Sequence, residues 1–485
     1  MKRVLAIVMA VVMLVALGAG CKPQNGDDTT AKIPTLKIYF SDGAGSDTVK
    51  VQEAVSAITR KKIGCNVEFM MLGADYFAQI PLKLLSNEQM DVGFDCEASF
   101  ISNAQKGAYL DLTEMLQTTH KKLYETIPEP LWKGTTIDGG IYGVPTYKEY
   151  AVQLVAWTYN DVLEKYNLDP AAMTKLPDIE PLLAALKKEG NRAGFMIGRN
   201  WGQENFDVQY YYDVVIDSFM VKRDEGETVV NYYETAEYEN FVKLMRDWYN
   251  KGYIASDIAT RDDYKDYKDY EYGVGMYQTS PGAQIYFSGM GYSFDKEELI
   301  PATELQLTPR MVSNNGVRGS INCVYKKSQY PEMALSFLEL WNTDPEVKNL
   351  ITWGIEGEHY KLDEEGKAES LLDNPWAVYI NQNWKGGNMF IGYLSKGQSD
   401  NRNELFKAFN DSAKESLTLG FIPDTSNIVD RLAAVTAVVG EHSQMLNLGV
   451  VDPETALPKF REALKKAGVD TVIAELQAQY TAWKK

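Results

Sequence analysis

Thr35-Leu36-Lys37-Ile38-Tyr39-Phe40-Ser41-Asp42-Gly43-Ala44-Gly45 decides the fold class. Its first six residues alternate as a strand does, and its last five are turn formers. Val51, Ala54, Val55 and Ile58 then recur at helical spacing, with Asp47 placed to cap that helix. Cys65 to Met71 is a second β-rich run, Asp75 to Leu85 a second helical one, and Asp91-Val92-Gly93-Phe94 a short third strand. This β-α-β-α-β order predicts a parallel sheet covered by helices. In open sheets of this kind ligands gather beyond the carboxyl ends of the strands, where Asp42 and Asp95 stand. Each is either a cap or turn residue or a ligand contact.

Outward from this unit, Gly139-Gly140-Ile141-Tyr142-Gly143-Val144-Pro145 punctuates the chain before a β-rich run, Ala151 to Tyr159. Strands and helices alternate to about Met290, with Phe241, Leu244, Met245 and Trp248 on one helical face. Asp263 to Glu271 is a local Asp-Tyr-Lys triplet repeat that fits a solvated loop or helix edge. The last third is helical. Ala334, Phe337, Leu338 and Trp341 form one stripe, Ile428, Leu432, Val435 and Val439 another, and Ile473, Leu476, Tyr480 and Trp483 a third. Asp452-Pro453-Glu454 reads as a helix start, and Pro458 predicts a break soon after it.

The chain has 485 residues and a formal net charge of −18, from 49 Lys+Arg against 67 Asp+Glu, which argues against nucleic acid as a partner. Three histidines, His120, His359 and His442, leave little for a metal centre, and no cofactor is expected. Met1 to Gly20 reads as a secretory signal, with Lys2 and Arg3 before the apolar run Val4 to Leu17. That run is short for a spanning helix. Leu17-Gly18-Ala19-Gly20-Cys21 resembles the lipobox of bacterial lipoproteins, which implies lipid on Cys21, a tether over residues 21–33 and an extracytoplasmic protein anchored to the cell membrane. Cys65, Cys96 and Cys323 read as small buried residues.

Several stretches, in order, resemble the extracellular solute-binding proteins that feed ABC importers. They are Lys106 to Thr113, Gly140 to Pro145 and Trp157 to Asp161. Gly354 to Tyr360, Asn383 to Asn388, Leu419-Gly420-Phe421 and Val451 to Glu454 are similar to a subfamily with a distinctive C-terminal region, whose members are lipid-anchored and mostly serve oligosaccharide import. The resemblance implies an α/β, two-lobed periplasmic-binding-protein-like fold, with a central sheet flanked by helices in each lobe and a hinge between them. Lobe one would take residues 34–146 and a return segment, 303–343; lobe two would take 147–302 and a helical C-terminal region, 344–485. The protein would act as a monomer, passing a solute to ABC permease subunits.

Sugars present hydroxyls at the ring edge and C–H groups on the ring face, so a site needs polar planar side chains and aromatic platforms. The resemblance places such contacts at Asp42, Asp95, Glu97 and Glu149, at Arg199, Asn200, Trp201 and Gln203, at Gln278, at Trp353 and Glu356, and at Trp384 and Asn388. Trp353 and Trp384 are either stacking platforms or packing residues, and Arg318 reads as structural. Asp95 and Cys96 occupy the place where many relatives carry an aromatic, so lobe one is expected to be short of one platform. The other readings are a secreted glycoside hydrolase or lyase, built on a carboxylate pair, and a surface adhesin without a small ligand. There is no GxSxG elbow or phosphate loop.

Overall fold

The alternation of Thr35–Phe40 works out as a strand buried on both faces: Leu36, Ile38 and Phe40 enter one apolar cluster and Tyr39 another. A computed structural model describes residues 33–485 apart from 44, 46, 87, 190–203, 261–272, 280, 282–289, 294–297 and 373–382. The signal segment, Cys21 and the Asp263–Glu271 repeat lie outside the described residues. Strand Asn66–Met71 pairs in parallel with Thr35–Phe40 on one side, and Val92–Asp95 does so on the other. Helix Thr48–Ile63 covers the sheet with Val51, Val55, Ser56 and Thr59. Asp47 does not cap it through its side chain, because its carboxylate faces His359 instead, at 3.3 Å.

The first sheet is completed from far along the chain. Strand Ile321–Val324 lies antiparallel to Val92–Asp95, and Val144–Pro145 pairs with its other edge. Gly93 has no side chain because Tyr325 lies across it, with the phenol oxygen 2.2 Å from where a Cβ would sit. Helix Pro331–Thr343 buries Ala334, Phe337, Leu338 and Trp341, as its stripe predicts. Fully burying a side chain the size of Phe337 or Leu338 contributes roughly 1.5–3 kcal/mol.

Lobe two is an antiparallel sheet in the order Val274–Gln278, Leu154–Tyr159, Glu298–Leu305, Met290–Ser293. Helix Ala236–Asn250 packs Phe241, Met245 and Trp248 into its core. Three C-terminal helices, Val429–Asn447, Pro453–Ala467 and Val469–Trp483, join that core through Val435, Phe460, Leu464, Leu476 and Tyr480. Asp452 caps the second of them, accepting from Glu454 N at 3.0 Å. That helix continues through Pro458 rather than breaking there. The lost hydrogen bond is outweighed by Leu457, Phe460 and Leu464, which are buried on either side of the proline's turn.

Between the lobes stands a three-stranded sheet. Ala151–Val152 runs antiparallel to Met311–Val312, which runs parallel to Lys414–Glu415. The chain therefore crosses near residues 151, 311 and 414, the last two later than the boundaries at 302 and 343 read from the sequence. Helix Pro345–Trp353 shares its apolar cluster with Pro331–Thr343 through Val347 and Ile351, and Phe409 lies in the same cluster, which holds that helix and the segment around Phe409 against lobe one. Among the described residues no helix is long and apolar enough to cross a membrane.

Candidate functional site

At the carboxyl ends of lobe one's strands, Asp95 is 2% exposed and fully engaged. It accepts from Cys96 N at 2.8 Å, from Asn103 Nδ2 at 2.9 Å, and from the hydroxyls of Ser99 and Tyr109. Its lone pairs fix helix Glu97–Gln105 and Tyr109, so it acts as a structural node. Asp42 forms an ion pair with Lys385 at 3.0 Å, and both side chains are mostly buried. Beside this pair an aromatic shelf takes shape. Trp384, 39% exposed, meets Phe94 edge-to-face at 6.4 Å, and Phe94 meets Phe77, 49% exposed, at 6.3 Å. The rings open to solvent at these strand ends are thus Phe77 and, from nearly 300 residues away in sequence, Trp384, with Phe94 buried between them.

The larger concavity is a cleft of about 1070 Å³ lined by both lobes. Helix Glu97–Gln105 contributes Glu97, Ile101 and Gln105, and the crossing segment contributes Lys148 and Glu149. Lobe two contributes Glu204, Asp213, Asp217, Tyr232, Tyr233 and Gln278, and the floor holds Asn314 and Arg318. Of the residues singled out in the sequence, Glu97, Glu149 and Gln278 line this cleft. Arg199, Asn200, Trp201 and Gln203 lie outside the described residues.

Three others serve elsewhere. Trp353 is buried against Tyr360 and Ala368. Glu356 is exposed at a turn that bridges to Tyr360. Asn388 is buried, accepting from Phe390 N at 2.9 Å and donating to Asn342 O at 3.3 Å.

The cleft's electrostatics follow from burial. Desolvation raises the carboxyls of Glu204 and Asp217 above their ordinary values, which favours their neutral forms. Glu149 keeps one oxygen buried without a hydrogen-bond partner, and its other oxygen lies 3.5 Å from Lys148 Nζ. Arg318 donates Nε–H to Gly134 O at 2.9 Å, while its Nη2 is buried and unpartnered. Burial pushes this guanidinium down to about 10. Arg318 is thus structural, as read from the sequence, and at the same time part of the cleft floor. Glu97 sits at a φ of 47°, a region unfavourable for a side-chain-bearing residue, right at the cleft. Such a lining can accept from and donate to many hydroxyls at once. Asp213 and Arg223 were not singled out from the sequence; they pair at 3.1 Å within one hairpin, and nothing in their local spacing signals that pairing.

Asp47, Glu358 and His359 bring their potential ligand atoms within 4.8 Å of one another. His359 Nδ1 accepts from Ile355 N at 2.9 Å, so Nε2 carries the proton that faces Asp47, and Glu358 is paired with Lys50. The imidazole offers no lone pair toward that cluster. Its donors are arranged as a hydrogen-bond set rather than a cation site.

Residues 417–485 match the model of a domain of unknown function, DUF3502. Over 98% of its length the chain is 29% identical to a carbohydrate ABC transporter substrate-binding protein of Streptococcus pneumoniae serotype 4, covering 97% of that protein. The crystal structure of an N-glycan transport solute-binding protein, NgtS, from S. pneumoniae superposes with a TM-score of 0.80 at 26% identity, covering 93% of this chain and 98% of that one. The same protein in complex with Man5GlcNAc superposes at 0.66, with 27% identity and the same coverage of each chain. With two α/β lobes, crossing strands and a cleft between them, the chain has the fold of the substrate-binding proteins of ABC transporters and is similar to them along nearly its whole length, its residues 417–485 matching DUF3502.

Proposed function

We propose that the protein captures an oligosaccharide in the cleft between its lobes and delivers it to the permease of an ABC transporter, while lipid on Cys21 holds it at the outer face of the cell membrane. The observation that carries the reading is the 1070 Å³ cleft, lined from both lobes by hydroxyl-matching polar groups. The sugar chemistry draws support from the S. pneumoniae relatives, of which one is named for carbohydrate transport and another was crystallised with Man5GlcNAc. The aromatic shelf of Phe77, Phe94 and Trp384, next to the Asp42–Lys385 pair, offers ring-face and ring-edge contacts of the kind a sugar needs. Closure about the crossing strands would bring it toward lobe two.

The test is titration of the purified protein with Man5GlcNAc and a panel of other oligosaccharides, followed by tryptophan fluorescence and by chromatography of the sugar. Saturable quenching with the sugar recovered intact is the expected result. Accumulation of shorter products would favour the hydrolase, and silence toward every sugar would favour an adhesin.

A further inference from the structure

We infer that the C-terminal domain of unknown function is one wall of the ligand cleft, and that the face of helix Val429–Asn447 sets how broad an oligosaccharide the cleft admits. This inference rests on the sugar-binding reading above. The domain reaches the cleft directly through Ile422, Pro423, Thr425, Thr436 and Val439. It also holds other parts of the lining in place. Leu417 N donates to Asp213 Oδ2 at 2.9 Å and Thr418 Oγ1 donates to Val214 O at 2.8 Å. Asn314 clamps the same loop, donating to Thr418 O at 2.7 Å and accepting from Gly420 N at 2.9 Å. Behind Tyr233, the Phe460 ring packs at 5.1 Å and Arg461 donates to the Tyr233 and Thr235 carbonyls at 3.1 and 2.8 Å.

The helix itself departs from what a surface helix needs. Ala433, Ala434, Thr436, Ala437 and Gly440 are all exposed, where charged or long polar residues would ordinarily stand. A glycine inside a helix lowers stability by roughly 0.5–1 kcal/mol relative to Ala. At Gly440 no packing requires it, because an added Cβ would meet nothing within 4 Å. Thr436, Val439 and Gly440 share one helical face, and the first two line the cleft. Short side chains there keep the cleft wide.

An independent sign of a ligand lies on the same cleft's floor, where Arg318, 8% exposed, presents its unpartnered Nη2.

The experiment compares wild type, Thr436→Trp, Gly440→Phe and the control Ala434→Trp, an exposed position that does not line the cleft. Each is titrated calorimetrically with the disaccharide Man1GlcNAc and with Man5GlcNAc, after thermal melts show each variant folded. The expected result is at least a tenfold loss of Man5GlcNAc affinity in both cleft-facing variants, a change under threefold for Man1GlcNAc, and no change in the control. Wild-type binding that survives unaltered in Thr436→Trp and Gly440→Phe overturns the inference and leaves the sugar reading standing. A wild type that binds neither glycan overturns the sugar reading itself.

Discussion

Trp384 stands over lobe one's strand ends with its ring partly open to solvent, held by Phe94 and by Lys385, whose Nζ lies 5.5 Å from the ring centroid. Replacing it with Ala should weaken sugar binding by about 1–3 kcal/mol, through lost stacking area. Near-wild-type affinity by calorimetry would remove it from the site. Asp207 offers a different test. Burial, and secondarily the Glu237 charge, raise its carboxyl to about 7, while Glu237 itself is held by Tyr212 at 2.7 Å and Lys222 at 3.0 Å. The folded state therefore binds this proton more tightly than the unfolded chain does, and its stabilising contribution is complete below pH 4 and lost as pH rises to about 7. Asp207→Asn should flatten that decline and raise stability at pH 8 relative to wild type by no more than about 4 kcal/mol. Denaturant melts across pH 4–8 check the sign. At this scale the sequence was only partly informative. Side-chain type marked Asp95 and Asn388 as ligand contacts, but hydrogen bonds to residues near and far in sequence turned both into structural nodes.

The crossing strands rest on Asn410, whose Oδ1 accepts from Tyr150 N at 3.0 Å and Ala151 N at 3.1 Å while Nδ2 donates to Lys148 O at 3.2 Å. The residue is 4% exposed. Asn410→Ala leaves two buried backbone donors unmet and should destabilise the protein by about 2–4 kcal/mol, measured by urea unfolding. Elements were the most legible level of the sequence. The stripes of Pro331–Thr343 and Ala236–Asn250 and the Asp452 cap are local patterns, fixed by periodicity and neighbouring residues. Pro458 was misread because its local penalty is outweighed by packing against other helices, which spacing alone does not reveal.

For the whole molecule, the two-lobed plan was legible because its β-α-β opening and its ordered segments resemble one family. The crossings at 311 and 414 were not, since short strands of two residues carry no periodicity. Cys21→Ser should release the protein from cell membranes into the medium or periplasm, assayed by fractionation; retention in the membrane would end the lipid assignment. Man5GlcNAc should also reduce the radius of gyration in solution scattering, as the lobes close on it.

The interleaving of lobe one also constrains how the protein is made. Strand Ile321–Val324 fills the gap between Val92–Asp95 and Val144–Pro145, and Val347, Ile351 and Phe409 complete the core that Leu36 begins. Emerging amino-terminus first, the chain lengthens by some 370 residues between Leu36 and Phe409 before lobe one has every part of its interior. The order of the segments thus sets a delay between the synthesis of the first strand and the last side chain needed to seal the core around it.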